Sequence, residues 1–268
     1  MNGKRILPDK IRFESERLLY LKQVYTYNWV RKIIPLRSLC LDLGCGEGYG
    51  TKILSSGAQE ITGVDIEAEV VNKASYKYAS KNCLFKQYDG KKISFPENTF
   101  DVVVSFQVIE HVKDDFGFIS EAHRVLKKGG MFILATPNKD IRLPKNQKPW
   151  NIHHVREYSL NGFKGVLKNS FSEVEILGIQ AVGKVKEIEQ ERIRQNLKII
   201  SWDFLNLRRI LPKCIVVNIV RIVHLLKSKK NNPEFKSGDF LPENADSLYK
   251  METQGVENAL DIVGVCRK

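Results

Sequence analysis

Apolar positions recur along this chain with two different periods. Between residues 9 and 34, Phe13, Leu18, Leu21, Val24, Tyr25, Trp29 and Ile33 fall on one helical face, and Pro35 stops the run. That spacing predicts a helix over 9–34. From 39 to 136, short apolar runs alternate five times with helical stretches, which predicts the βαβ rhythm of an α/β, doubly wound parallel sheet. Ser172–Gln180 and Ala259–Arg267 predict two further strands, seven in all.

Between those two strands lies a long insertion, residues 183–250. Its first part, Lys184–Arg194, reads as a charged helix. Its second, Cys214–Leu226, is apolar but interrupted by Asn218, Arg221 and His224. A bilayer span needs about 20 apolar residues, so this segment is too short and too polar to cross. It predicts a buried helix of a small cap, with an amphipathic helix lying on a membrane as the alternative. Asn231–Asp239 and Asn244–Asp246 read as loops.

The first strand ends in Leu41-Asp42-Leu43 and breaks into Gly44, Gly46, Gly48 and Gly50, with helical sequence from Thr51. Strand, glycine loop and helix start together form the mouth of a nucleotide-type pocket. The alternating glycines match a dinucleotide fingerprint poorly, and a carboxylate at the strand end repels a pyrophosphate. Asp42 suits a ligand bearing an ammonium group instead. Asp65 ends the next apolar run, 23 positions after Asp42, near the interval at which an acidic side chain meets ribose hydroxyls. Asp89-Gly90 follows a third run, although Asp-Gly is also an ordinary turn.

These residues resemble the class I S-adenosylmethionine-dependent methyltransferases. The likeness runs over about 38–180 and resumes at 259–267. It is carried by the glycine loop, Gly63-Val64-Asp65-Ile66, Phe100–Ser105 with Val108-Ile109-Glu110-His111-Val112, and Arg124–Asn138. The resemblance implies a Rossmann-like, mostly parallel sheet whose seventh strand inserts antiparallel. The chain reads as one domain over 1–268, with core residues 37–182 and 251–268, a helical cap at 183–250 that the common core does not need, and an N-terminal helix at 1–36 that serves either as a lid over the pocket or as an ordinary packing helix.

The resemblance also implies S-adenosylmethionine as cofactor. Asp42, Gly44, Cys45 and Gly46 would hold its methionine part, Asp65 its ribose and Ile66 its adenine face. Asp89 would meet the adenine amino group with Gly90 beside it, and Gln107 would line the pocket near the sulfonium.

Two histidines are candidates at the methyl acceptor. His111 follows the fourth strand. His154 lies in Asn151-Ile152-His153-His154-Val155-Arg156-Glu157-Tyr158, which resembles an N-P-x-H-x-x-E-[FY] pattern of small-molecule, often sugar-directed, methyltransferases, with Ile152 in place of proline. A loop histidine suits acceptance of a hydroxyl proton. The competing reading is that His154 caps the next helix. His153, His123 and His224 read as bystanders.

Composition narrows this further. The net charge is +12, and 184–230 holds twelve Lys/Arg against four Asp/Glu, an excess that suits nucleic acid, an anionic membrane or a phosphorylated substrate. Nucleic acid is disfavoured, because Ser105-Phe106-Gln107-Val108 is no base-flipping motif and Trp202 and Phe204 are isolated. The five cysteines form no C-x-x-C pair, and Met1–Glu16 is polar, which together predict reduced thiols, no metal site and a cytoplasmic protein.

The reading that follows is transfer of methyl to a small molecule: a sugar hydroxyl on a sugar, nucleotide sugar or glycolipid in polysaccharide biosynthesis. The alternatives are a lipid or quinone methyltransferase touching the membrane through 205–230, and a cofactor-binding protein without catalysis. The acceptor atom and the oligomeric state stay open.

Overall fold

A computed structural model describes residues 8–11, 13–144, 147–151, 153–202 and 245–268. Ile152, the apolar run Cys214–Leu226 and the membrane-contact candidate 205–230 therefore lie outside the described residues. The helix predicted over 9–34 is α1 (Glu14–Ile33). It ends where Ile34 turns extended ahead of Pro35, as the proline ring demands of the residue before it.

The core then runs β1 (Leu39–Leu43), α2 (Tyr49–Ser55), β2 (Glu60–Asp65), α3 (Ala68–Tyr78), β3 (Cys83–Gln87), β4 (Phe100–Phe106), α4 (Asp115–Val125) and β5 (Leu126–Pro137). Further helices follow around the last strands: α5 (Lys139–Arg142), α6 (Leu160–Lys168), β6 (Glu173–Ala181), α7 (Gly183–Trp202), α8 (Ala245–Leu248), β7 (Tyr249–Glu252) and β8 (Asp261–Arg267).

The sheet order is β3-β2-β1-β4-β5-β8-β6-β7. Strands β1 to β5 pair in parallel, and β8 inserts antiparallel between β5 and β6. The doubly wound sheet is as predicted, with one correction: among the described residues it has eight strands, not seven. The extra edge strand β7 pairs antiparallel with β6 from the tail of the insertion. Four residues reading Tyr-Lys-Met-Glu carry too little alternation to signal a strand. Burial of Tyr249 fixes it, with its hydroxyl donating to the Leu18 carbonyl at 2.8 Å.

Both faces of the sheet are covered, which is why its inner strands read as unbroken apolar runs. Along β4, Val102 and Val104 pack with Leu18, Leu21 and Val30 of α1. Val103 points the other way, into a core with Phe118, Ile119, Phe132 and Phe163 from α4, β5 and α6. The chain order reverses between β1 and β4, so their C-terminal ends open the crevice where ligands of such sheets bind.

Candidate functional site

The glycine loop leaves β1 as a tight turn. The amides of Gly44 and Cys45 both donate to the Val64 carbonyl, at 2.8 and 3.0 Å, which pins the loop against the end of β2. Gly44 has φ +87, and a Cβ there would fall 2.5 Å from Val108. Only glycine admits both the left-handed backbone and that approach. Val108 lies two residues before Glu110, so the loop abuts the segment that carries the first histidine candidate.

Asp42 sits beneath this loop with no exposed surface. Thr51 Oγ1 donates to its Oδ2 at 2.6 Å, and the Tyr27 hydroxyl lies 3.3 Å from both oxygens. Burial pushes its pKa up to about 7, against the opposing pull of the Thr51 and Tyr27 hydroxyls. A ligand ammonium reaches this carboxylate only if Tyr27 gives way. As built, Asp42 holds α1, α2 and β1 together.

Asp65 ends β2 at the lip. Its Oδ2 accepts from the Gly46 amide and its Oδ1 from the Glu67 amide, both at 3.1 Å. Ile66, next to it, is 51% exposed, and a side chain at Gly46 would meet nothing within 4 Å. A carboxylate, an apolar ledge and open space over a turn of backbone amides suit an adenosine-bearing ligand. Asp89 is exposed, with Oδ1 accepting from the Lys91 and Lys92 amides at 2.8 Å, and those two amides hold its carboxyl below the usual range. That is the geometry of the Asp-Gly turn itself. Gly90 stands against Ile66, 3.1 Å from its Cγ2 to a built Cβ.

Gln107 follows β4 at φ +59, and its side-chain amide donates to Asp261 Oδ2 at 3.0 Å. Asp261 Oδ1 in turn pairs with Lys22 of α1 at 2.6 Å, with both side chains buried.

The second half of the site joins two segments 43 positions apart. The amide of Val155 donates to the Glu110 carbonyl at 2.8 Å, Arg156 pairs with Asp115, and the Tyr158 hydroxyl donates to Asp115 at 2.7 Å. These ties lay 153–158 along the segment after β4. They bring the His111 and His154 rings edge to face, with centroids 4.8 Å apart. His154 is 8% exposed, and its Nδ1 meets Glu157 Oε1 at 2.9 Å. Burial raises the Glu157 carboxyl, but the His154 hydrogen bond and the Arg142 charge outweigh it, and the net pKa is lowered. The carboxylate accepts, so His154 Nδ1 carries the hydrogen. His111 Nδ1 lies 3.0 Å from the His153 carbonyl, which can only accept, so it too carries a hydrogen there.

In its neutral form each ring therefore keeps Nε2 as its acceptor nitrogen. Beside them lies Glu110, 1% exposed, with Thr136 Oγ1 donating to its Oε2 at 3.0 Å. Burial raises its pKa to about 7, and His154 in its protonated form would work against that rise. Glu110, His111 and His154 each bring one candidate ligand atom to within 4.8 Å of the others. Such a group can accept a proton or a cation.

The structure thus brings His111 and His154 together, as it does Asp42, Gly44–Gly46 and Asp65. Reading the sequence missed Tyr27, Thr51, Lys22, Asp261 and the roles of Glu110 and Glu157. The i, i+3 spacing of His154 and Glu157 was a usable signal; the others are long-range contacts with none.

The family described as "Methyltransferase domain" matches residues 41–134. A Mycolicibacterium smegmatis protein named a probable S-adenosylmethionine-dependent methyltransferase is 35% identical over 135 residues, covering 50% of this chain and 52% of that protein. The ubiquinone biosynthesis O-methyltransferase of Pelagibacter ubique is 30% identical over 140 residues, covering 50% and 55%. The chain spans about half the length of these curated relatives. The crystal structure of a Thermotoga maritima methyltransferase superposes with a TM-score of 0.55 over 95% of both chains at 14% identity, a likeness of fold. Among the described residues no helix is long and apolar enough to cross a membrane.

Proposed function

We propose that this chain, which carries a class I S-adenosylmethionine-dependent methyltransferase domain, transfers a methyl group to a hydroxyl of a small-molecule acceptor. The observation that carries this reading is the Glu110–His111–His154 cluster, with Glu110 and His154 buried and His111 exposed, set across Val108 from the glycine loop. A neutral amine acceptor needs no base, whereas a hydroxyl does. A site furnished with two imidazoles and a carboxylate is furnished for a hydroxyl.

Bound S-adenosylmethionine supplies an electrophilic methyl group on a sulfonium. Asp65 would hold its ribose hydroxyls, Ile66 its adenine face and the Gly44–Gly46 backbone its methionine part, with Asp42 supporting that loop from below. Asp89 and Gly90 would border the adenine, with the Asp89 oxygen not used by its own turn facing the amino group. Gln107, clamped by Asp261, would line the reacting end. His111 and His154 are the catalytic residues in this reading, acting through Nε2 to ease loss of the acceptor's proton.

The acceptor class follows from less. Likeness of the 151–158 segment to sugar-directed methyltransferases favours a sugar hydroxyl in polysaccharide or glycolipid synthesis. The Pelagibacter relative's name favours a second reading, a quinol or phenol hydroxyl.

Isothermal titration with S-adenosylmethionine tests the cofactor, with micromolar binding expected. Asp65→Asn should weaken it about 10–100-fold, as loss of charge-assisted hydrogen bonds does. Radiolabelled methyl transfer to a panel of nucleotide sugars, glycolipids, catechols and quinols then sorts the acceptor. Absence of cofactor binding would overturn the whole reading.

A further inference from the structure

We infer that Glu110, His111 and His154 form a binding site for one divalent transition-metal ion, Zn2+ in preference to Mg2+. Three observations meet here. One candidate ligand atom from each residue lies within 4.8 Å of the other two. A tetrahedral zinc site with bonds near 2.1 Å spaces its ligands by about 3.4 Å, so closure by an ångström or so completes the set.

Both imidazoles are also prepared as ligands. Each spends Nδ1 on a fixed acceptor, His154 on the Glu157 carboxylate and His111 on the His153 carbonyl, so that in its neutral form each keeps Nε2 as the ligand nitrogen. Such outer partners set the tautomer and ring orientation of metal-bound histidines. His154 with Glu157 has the arrangement of a carboxylate–histidine–metal triad, and Arg142 stands 3.7 Å from the far oxygen of Glu157.

Third, Glu110 is a buried carboxylate that accepts from a neutral hydroxyl, that of Thr136. A buried carboxylate without a full counter-charge is costly, and a cation between it and two imidazoles removes that cost. Two nitrogens and one oxygen suit zinc, cobalt or manganese, whereas Mg2+ prefers an all-oxygen shell. Three protein ligands leave at least one position open, the hallmark of a catalytic rather than a structural ion.

The ion's purpose rests on the reading of the chain as a hydroxyl methyltransferase. An acceptor hydroxyl drawn to the open position is more acidic than in water. Its O–H bond breaks and the proton leaves to solvent. The oxygen then forms the new O–CH3 bond while the methyl–sulfur bond breaks, returning its electron pair to a neutral thioether. Sequence reading expected no metal because it looked for Cys and His at short spacing. This set is split between 110–111 and 154.

The test is titration of the untagged, EDTA-stripped full chain with Zn2+, Co2+ and Mg2+, with no acceptor or turnover needed. One Zn2+ per chain at micromolar affinity or better is expected, and Co2+ should give the intense visible bands of a four- or five-coordinate site. Glu110→Gln and His111→Gln should abolish both. Glu157→Gln should weaken Zn2+ about 10–100-fold by altering the hydrogen bond that orients His154. S-adenosylmethionine affinity of each variant checks that it is folded. Absence of stoichiometric Zn2+ binding, binding unchanged by the variants, or preference for Mg2+ overturns the site. If S-adenosylmethionine fails to bind while Zn2+ binds at this cluster, the methyltransferase reading falls and the metal site stands.

Discussion

The hydroxyl of Tyr27 stands 3.3 Å from each carboxylate oxygen of Asp42, joining the N-terminal helix to the tip of the first strand. Its ring packs on Phe106 at 4.8 Å and passes so close to Gly50 that a Cβ there would lie 2.1 Å from it. The last glycine of the loop therefore makes room for an aromatic ring of α1.

That contact sets the sign of a substitution. Gly→Ala inside a helix ordinarily stabilises by about 1 kcal/mol. Gly50→Ala should instead destabilise by about 1–3 kcal/mol, because the added methyl overpacks against Tyr27. In a Tyr27→Ala background the same change should regain its usual favourable sign. Denaturant unfolding of the four chains decides it, and a stabilised Gly50→Ala single variant would mean that α1 does not sit here.

Burial of Asp42 gives the fold a definite pH dependence. Its folded pKa of about 7 lies above the unfolded carboxylate value near 3.9, so the folded state holds the extra proton between them. Its contribution is fully present below pH 4, falls as pH rises from about 4 to 7, and levels off above that. Asp42→Asn removes this term. The stability of wild type relative to that variant should therefore decline across pH 4–7, as measured by urea unfolding at intervals. A flat difference would show the carboxyl to be solvated.

Lys22 and Asp261 form a buried pair between α1 and β8. Removing one charge from such a pair strands the other, at about 3–5 kcal/mol. Lys22→Met should show that loss, and Lys22→Met with Asp261→Asn should recover most of it. Asp261 also clamps Gln107, so Asp261→Asn alone should lower turnover beyond its effect on stability. A double variant no better than the single would place the cost in lost packing instead.

Glu157 acts through His154 and offers a separable readout. Glu157→Gln should reduce turnover about 10–100-fold, and His154→Gln by at least about 100-fold. Affinity for S-adenosylmethionine should stay within about twofold in both, since neither residue adjoins the glycine loop. Parallel loss of cofactor affinity would move the pair into the cofactor pocket.

Much of this molecule was legible without coordinates. Local rules suffice for a helix that stops before Pro35, for five apolar runs separated by helical ones, and for acidic residues at the ends of β1 and β2. Each depends on residues within a few positions of one another, where backbone sterics and side-chain period act directly. The same locality explains the missed strand β7, whose place is set by Tyr249 reaching Leu18, 231 positions away.

The reacting end is another matter. Nothing in the order of residues says that Glu110 and His111 meet His154, that Lys22 meets Asp261, or that Tyr27 covers Asp42. By itself the sequence determined the alternation of strand and helix, and with it the glycine turn and the carboxylates along one sheet edge. Only the tertiary structure decided which charged groups lose their water and which partners replace it. Solvation depends on everything packed around an atom, and no window of the chain contains that.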